Sequence, residues 1–396
     1  MKSSILRSLL LVILLTAYQI GFAQDAAPAV AEAPKEEKTF TFGGSIDTYF
    51  RSSLKTTNPY NTSTYAPSTS FADGKGFSIG MVNLIASYQG EKAGFVADVV
   101  FGPRGKAAVF GPGTRQAIVN QAFAYYKFND NFTLNLGQFN TFVGYEVISP
   151  TVNFHYSTSY LFSWGPFNHT GLRADFAFGD GFVAKAAIMN PTDVVEFNPV
   201  STYTFGAQLG KTSDAGGVWL NFLYGDQDGK MKEDGDDPYA TDVEDNYSAG
   251  SLFQADLTLG YNLGEKFYLG FNTSYQTTAA GENIDGLGVI TDSDADASSF
   301  LGFAVYPKVT LSESFALGLR AEYFSITNNH LAIIGLDDNF DGNVMAFTLS
   351  GNYKVGGFTF IPEVRVDKTS ENSYFDKDNK ATDLMPSLTF AAVYKF

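Results

Sequence analysis

From Thr39 to Phe396 the chain is cut into short runs of alternating side-chain character, and the pieces that join the runs alternate between short and long. Short joins include Gly90-Glu91-Lys92-Ala93, Asn129-Asp130-Asn131, Gly179-Asp180-Gly181, Gly264-Glu265-Lys266, Ser312-Glu313-Ser314 and Gly356-Gly357. Long ones include Ser53 to Lys75, Val143 to His169, Gly225 to Gly250, Thr277 to Ala297 and Ile326 to Asn343. Membrane β-barrels have tight turns at one rim and longer loops at the other. A soluble sandwich shares the period-two strands but has no reason to sort its connections by length.

The runs carry the two faces a barrel wall needs. Phe267, Leu269, Phe271 and Tyr275 oppose Tyr268, Gly270, Asn272, Ser274 and Gln276. Phe358, Phe360, Pro362, Val364 and Val366 oppose Thr359, Glu363, Arg365 and Asp367. Successive strand residues point to opposite faces, so each run has one apolar and one polar side. The runs begin near Thr39, Gly76, Phe95, Gln116, Phe132, Thr170, Phe182, Thr202, Val218, Ser251, Phe267, Ser299, Phe315, Val344, Phe358 and Leu384. They lack the spacing of amphipathic helices. The pattern predicts an all-β fold over 39–396: a transmembrane antiparallel β-barrel of about 16 strands, with short periplasmic turns and long extracellular loops. Phe95, Phe132, Phe182, Phe267, Phe315 and Phe358 follow short turns, and Tyr88, Tyr126, Tyr261, Tyr353 and Tyr394 precede that rim, as an aromatic girdle at a lipid boundary requires.

The N-terminus reads as a secretory signal. Lys2 and Arg7 precede the apolar run Leu9 to Leu15, and Gly21 to Gln24 offers cleavage after Ala23. Residues 24–38, rich in Ala, Pro and Glu, read as a disordered periplasmic tail. The absence of Cys excludes disulfides, thiolate metal sites and Cys nucleophiles. A net charge of -16 argues against a nucleic-acid partner. The expected location is the outer membrane of a Gram-negative bacterium, with outer-membrane lipid on the apolar face.

Two stretches carry a family resemblance. The terminal run ends Leu388, Phe390, Ala392, Tyr394, Phe396, and resembles the strand that the barrel assembly machinery recognises, with Tyr394 and Phe396 as its assembly signal. Gly137 to Phe139 (G-Q-F), Asn153 to Phe162 (N-F-H-Y-S-T-S-Y-L-F) and Gly165 to Arg173 (G-P-F-N-H-T-G-L-R) resemble the OmpL-like outer-membrane porin family. The resemblance implies a porin-type barrel, passive solute passage, no cofactor and no catalytic residues.

Strand charges fall on the polar face: Asp47, Arg51, Asp98, Lys127, Arg173, Asp175, Lys185, Asp256, Arg320, Glu322, Lys354, Glu363, Arg365, Asp367 and Lys395. At the bilayer midplane an Arg or Lys facing lipid costs about 2–4 kcal/mol, so these belong in the lumen. There they either pair across the wall or meet permeating solute. Val143 to His169 is the constriction candidate, carrying Tyr145, Glu146, His155, Tyr156, Tyr160 and Trp164 and running into Arg173 and Asp175. It is expected to enter the lumen; the competing reading packs it outside. Arg320, Glu322, Glu363 and Arg365, on the polar face of their strands, complete the set of lumen and constriction candidates. The acidic stretch Gly225 to Asn246 suits divalent ions only loosely, because ordered ligand spacing is missing. His169 beside Ser159 or Ser163 would be needed for a barrel hydrolase, and nothing else supports one.

The leading expectation is a porin for passive diffusion of small hydrophilic solutes and ions, assembled by analogy as a homotrimer. The alternatives are a substrate-specific uptake channel, with Tyr125, Tyr160 or Tyr268 as a stacking track, and a structural or adhesive barrel blocked by its loops.

Overall fold

The computed structural model describes residues 38–57, 66–109, 118–198, 202–227, 251–279, 281–284, 290–295, 297–328 and 335–396. Sixteen strands form its wall. They are β1 (Thr39–Ser53), β2 (Gly76–Gln89), β3 (Ala93–Phe101), β4 (Val119–Asn129), β5 (Phe132–Asn140), β6 (Asn168–Ala177), β7 (Phe182–Met189) and β8 (Thr204–Ser213). The second half is β9 (Gly216–Asp226), β10 (Ser251–Asn262), β11 (Phe267–Thr278), β12 (Ser298–Ser312), β13 (Phe315–Thr327), β14 (Gly342–Val355), β15 (Phe358–Thr369) and β16 (Leu384–Lys395). Each pairs antiparallel with its sequence neighbours, and β1 pairs with β16, so the sheet closes. Closure leaves no unpaired strand edge, which is the condition for a sheet to survive in hydrocarbon.

The strand starts lie within three residues of those read from the pattern, because turn residues and a switch in face mark them together. Asp214-Ala215 between β8 and β9 adds another short turn to those named from sequence. Among the described residues two short helices sit in the long loops. α1 (Gly102–Ala108) carries Pro103 in its first turn, and α2 (Tyr160–Trp164) is capped by the Ser159 hydroxyl, which accepts from the Phe162 N–H.

Outward positions are apolar from rim to rim. Leu136, at mid-strand, is 64% exposed, and Phe77, near the long-loop rim, is 90% exposed. At the short-turn rim, rings stack across strands: Tyr88 on Phe95 and Phe128 on Phe132 on Phe176. Phe267, Tyr353, Phe358 and Tyr394 point outward at the same rim. In membrane barrels such a band is the face that lipid covers. The terminal residue is tied into the wall: the Gly44 N–H donates to the Phe396 carbonyl and the Phe396 N–H to the Gly44 carbonyl.

Inward positions mix polar residues with apolar ones such as Phe300, Phe324, Val344 and Ile361, and loops cover them. Apolar clusters inside the barrel join wall residues to loop residues, as where Tyr160 and Leu161 of α2 pack on Phe300, Ala304 and Phe324. A second joins Phe71 and Ala108 of two other loops to Phe162, Phe167 and Met81.

Candidate constriction loop and lumen

Residues 141–167 leave β5, cross the bore and return to β6. Contacts with distant strands establish the crossing. The Gly144 N–H donates to Asp256 of β10 (3.2 Å), and the Tyr145 hydroxyl to Tyr268 of β11 (2.9 Å). The Tyr145 ring stacks on Tyr306 of β12, with 4.1 Å between centroids. Asn352 of β14 donates to the Phe154 carbonyl (3.1 Å), and the Tyr156 hydroxyl donates to Asp47 of β1 (2.5 Å). The wall makes room with glycine. A Cβ on Gly270 would lie 2.4 Å from the Tyr145 hydroxyl, and one on Gly318 would lie 2.4 Å from the Phe154 ring.

A loop inside a barrel has backbone groups with neither a strand partner nor bulk water, and each must be satisfied. Here wall carboxylates do so in pairs. Glu322 accepts from the N–H groups of Tyr160 (3.0 Å) and Leu161 (2.8 Å). Glu363 accepts from Tyr156 (2.9 Å) and Ser157 (3.3 Å). Within the loop, Glu146 accepts from Ser159 (2.6 Å) and from the Arg320 guanidinium (2.6 Å). Arginines satisfy the carbonyls. Arg320 donates to Ser157 (2.7 Å) and Thr158 (3.2 Å), and Arg365 donates to Thr158 (2.7 Å) while forked onto Asp367. Ion pairs this buried hold best when their remaining donors and acceptors are also bonded; these are multiply bonded, though the Arg320 Nε has no partner among the described residues.

Glu146, Arg320, Glu322, Glu363 and Arg365 thus converge on loop residues 156–161. Arg173 and Asp175 do not join them: they pair with each other on β6 (2.9 Å), with Arg173 over the Phe139 ring. Trp164 packs partly buried beside the α2 cluster. His155 meets the Ser350 hydroxyl (2.8 Å), which also donates to Glu363 (2.9 Å). All three are buried, and the serine stands between acid and histidine, so the trio lacks the order of a hydrolytic triad. His169 bonds Thr141 rather than a serine. His330 and most of the acidic stretch Gly225 to Asn246 lie outside the described residues. Among the described residues no acidic or histidine cluster is arranged for a metal.

The tyrosines considered as a stacking track are separated. Tyr160 stacks on Phe324 inside the α2 cluster, Tyr268 is tied to Tyr145, and Tyr125 lies over Gly94. Three participants escaped sequence reading. Arg104 of α1 donates to the Tyr156 carbonyl (3.2 Å) and lies over the Phe71 and Tyr156 rings. Asp193 accepts from Phe167 and Asn168 (2.8 Å each), where the loop rejoins the wall. Lys308 of β12 lies over the Tyr268 ring at 4.4 Å. Lys308 was findable, because Tyr306 and Lys308 share the inward parity of their strand. The other two sit in loops without periodicity.

At loop height the bore is occupied: inward Asn221, Thr258, Arg320 and Thr348 have no accessible surface. Below it, toward the short turns, lies a cavity of about 430 Å³ bounded by residues 150–155 of the loop and by the wall at Tyr268, Lys308, Lys354 and Lys395.

The family described as "Putative beta-barrel porin-2, OmpL-like" matches residues 39–396. No curated protein matches. Among solved structures, the outer membrane channel DcaP of Acinetobacter baumannii is similar at a TM-score of 0.57 with 11% identity, over 91% of this chain and 97% of that one. OmpT of Vibrio cholerae in its trimer form has a TM-score of 0.55 at 13% identity, over 91% and 100%. An anion-selective porin from Comamonas acidovorans has a TM-score of 0.55 at 9% identity, over 91% and 100%. These likenesses concern the fold.

Proposed function

The chain belongs to the OmpL-like beta-barrel porin-2 family, and from that premise we propose that it is an outer-membrane porin for passive passage of small hydrophilic solutes and ions. The carrying observation is the loop 141–167, held inside a closed sixteen-strand barrel by wall charges at Glu322, Glu363, Arg320 and Arg365. A constriction built this way selects by size where the loop leaves room and by charge along the wall. In this reading the short turns face the periplasm, the long loops face outward, and residues 1–23 are removed after targeting. Tyr394 and Phe396 form the assembly signal, and the mature barrel is a trimer.

Purified protein reconstituted in liposomes, assayed for swelling in isosmotic sugars and for single-channel conductance, tests the proposal. Swelling with a monosaccharide and ohmic current steps are expected. A second reading, a structural barrel closed by its own loops, is favoured by one observation: the complete burial of inward residues at loop height. Protein that folds in liposomes yet passes neither sugar nor ions would select it.

A further inference from the structure

The cavity beneath the loop is lined by cations, opposite in sign to the net charge of the chain. The chain carries a net charge of -16. Yet Lys308 on β12, Lys354 on β14 and Lys395 on β16 all line this one space. Their strands are alternate members of one run of the wall, β12 to β16, so neighbours among them are two strand spacings apart, on the order of 10 Å. A lysine stem bridges much of that distance, and Lys354 lies within electrostatic reach of Lys308.

No carboxylate pairs with any of the three among the described residues. The acid on the lining, Glu146, has one oxygen on Arg320 and the other on the Ser159 N–H. Elsewhere in the lumen Arg320 pairs with Glu146, Arg365 with Asp367 and Arg173 with Asp175, while the buried Arg51 donates to the Ala72 carbonyl and the Ser387 hydroxyl. Three like charges gathered in a walled space raise the local potential and concentrate anions. Beside them the cavity has an aromatic side, with Tyr268 under the Lys308 ammonium and Tyr145 and Phe154 from the loop.

We propose that this cavity is a binding site for small organic anions, with the carboxylate held by Lys308, Lys354 and Lys395 and the apolar body against Tyr145, Phe154 and Tyr268. Ammonium groups act as point charges on flexible stems, which suits a ligand that must be captured and released rather than fixed. As a statement about what the pore prefers to carry, this rests on the porin reading. As a statement about binding it stands separately.

The test is calorimetry on the full-length protein in detergent, with benzoate, its neutral isostere benzamide, acetate and inorganic phosphate as probes. Benzoate is expected to bind at least tenfold tighter than benzamide and tighter than acetate or phosphate. Lys308→Gln, Lys354→Gln and Lys395→Gln combined should weaken benzoate at least tenfold. Lys211→Gln, at the outer girdle over Phe182, should leave it unchanged. Lys354→Gln and Lys395→Gln alter exposed residues and serve singly, each weakening benzoate severalfold, where the triple variant fails to fold. Equal binding of benzamide, preference for phosphate, or benzoate affinity unmoved by the lysine changes would overturn the proposal. Sugar swelling without benzoate binding rejects this site and spares the porin reading; benzoate binding without swelling does the reverse.

Discussion

Glu322 is buried, and it holds two successive N–H groups of the loop with its two oxygens. Glutamine has one acceptor oxygen and would turn its amide toward the second N–H, so Glu322→Gln opposes donor to donor. Leaving a buried backbone donor without its acceptor costs about 1–3 kcal/mol. We expect Glu322→Gln to fold with a lowered thermal midpoint and a noisier single-channel current, as α2 loosens from β13. Asp193 gives a pH test outside the wall. Burial pushes its carboxyl from the ordinary 3.8 up to about 7, against the two backbone N–H groups that favour the ionised form. Between these values the unfolded chain has released a proton that the folded chain retains, so stability falls as pH rises through that window. The thermal midpoint, followed by tryptophan fluorescence, should decline from pH 4 to 7, and Asp193→Asn should flatten that decline.

Among elements, the loop 141–167 is the one whose removal ought to change transport without dismantling the wall. Its ends are fixed by β5 and β6, which pair with each other from Phe132↔Phe176 to Asn140↔Asn168. Replacing 145–160 with a short Gly-Ser linker should therefore leave the barrel closed and raise single-channel conductance severalfold. Unchanged conductance would mean that the loop does not limit passage. A subtler version unseats it: Gly318→Val places side-chain atoms where the Phe154 ring lies. The wall and the loop also differ in how far they were legible. Each strand advertises itself locally, by alternation and by the Gly, Asp and Asn of its turns, so the starts of β1 to β16 could be read in order. The interior position of 141–167 depends instead on partners such as Glu322 and Tyr160, 162 residues apart in sequence. Long-range pairing leaves no periodic trace. The charges of the lumen were readable from strand parity, but their division was not. Parity puts Arg173 and Arg320 on the same face, and only the fold sends one to its own strand's Asp175 and the other to the loop.

For the molecule as a whole, the decisive physical claim is that its two faces meet different solvents, and one strand tests both. Leu136 and Thr133 lie on β5 three residues apart, pointing to opposite sides. Leu136 sits outward between Ala124 and Leu172 of its neighbours, and Thr133 sits inward between Lys127 and Asp175. If hydrocarbon surrounds the barrel, Leu136→Arg forces a guanidinium into it and costs about 2–4 kcal/mol at the midplane. Thr133→Arg instead enters a wet lumen beside a carboxylate and costs little. Folding into lipid vesicles, followed by urea titration, should show a large loss of midpoint for the first variant and a small one for the second. A water-soluble barrel would give the other order: an exposed Arg at 136 would be harmless, and an enclosed one at 133 would carry the desolvation cost. The two substitutions add the same charged side chain to the same strand, so the charge gained is the same in both. What remains is the identity of the medium on each side of the wall.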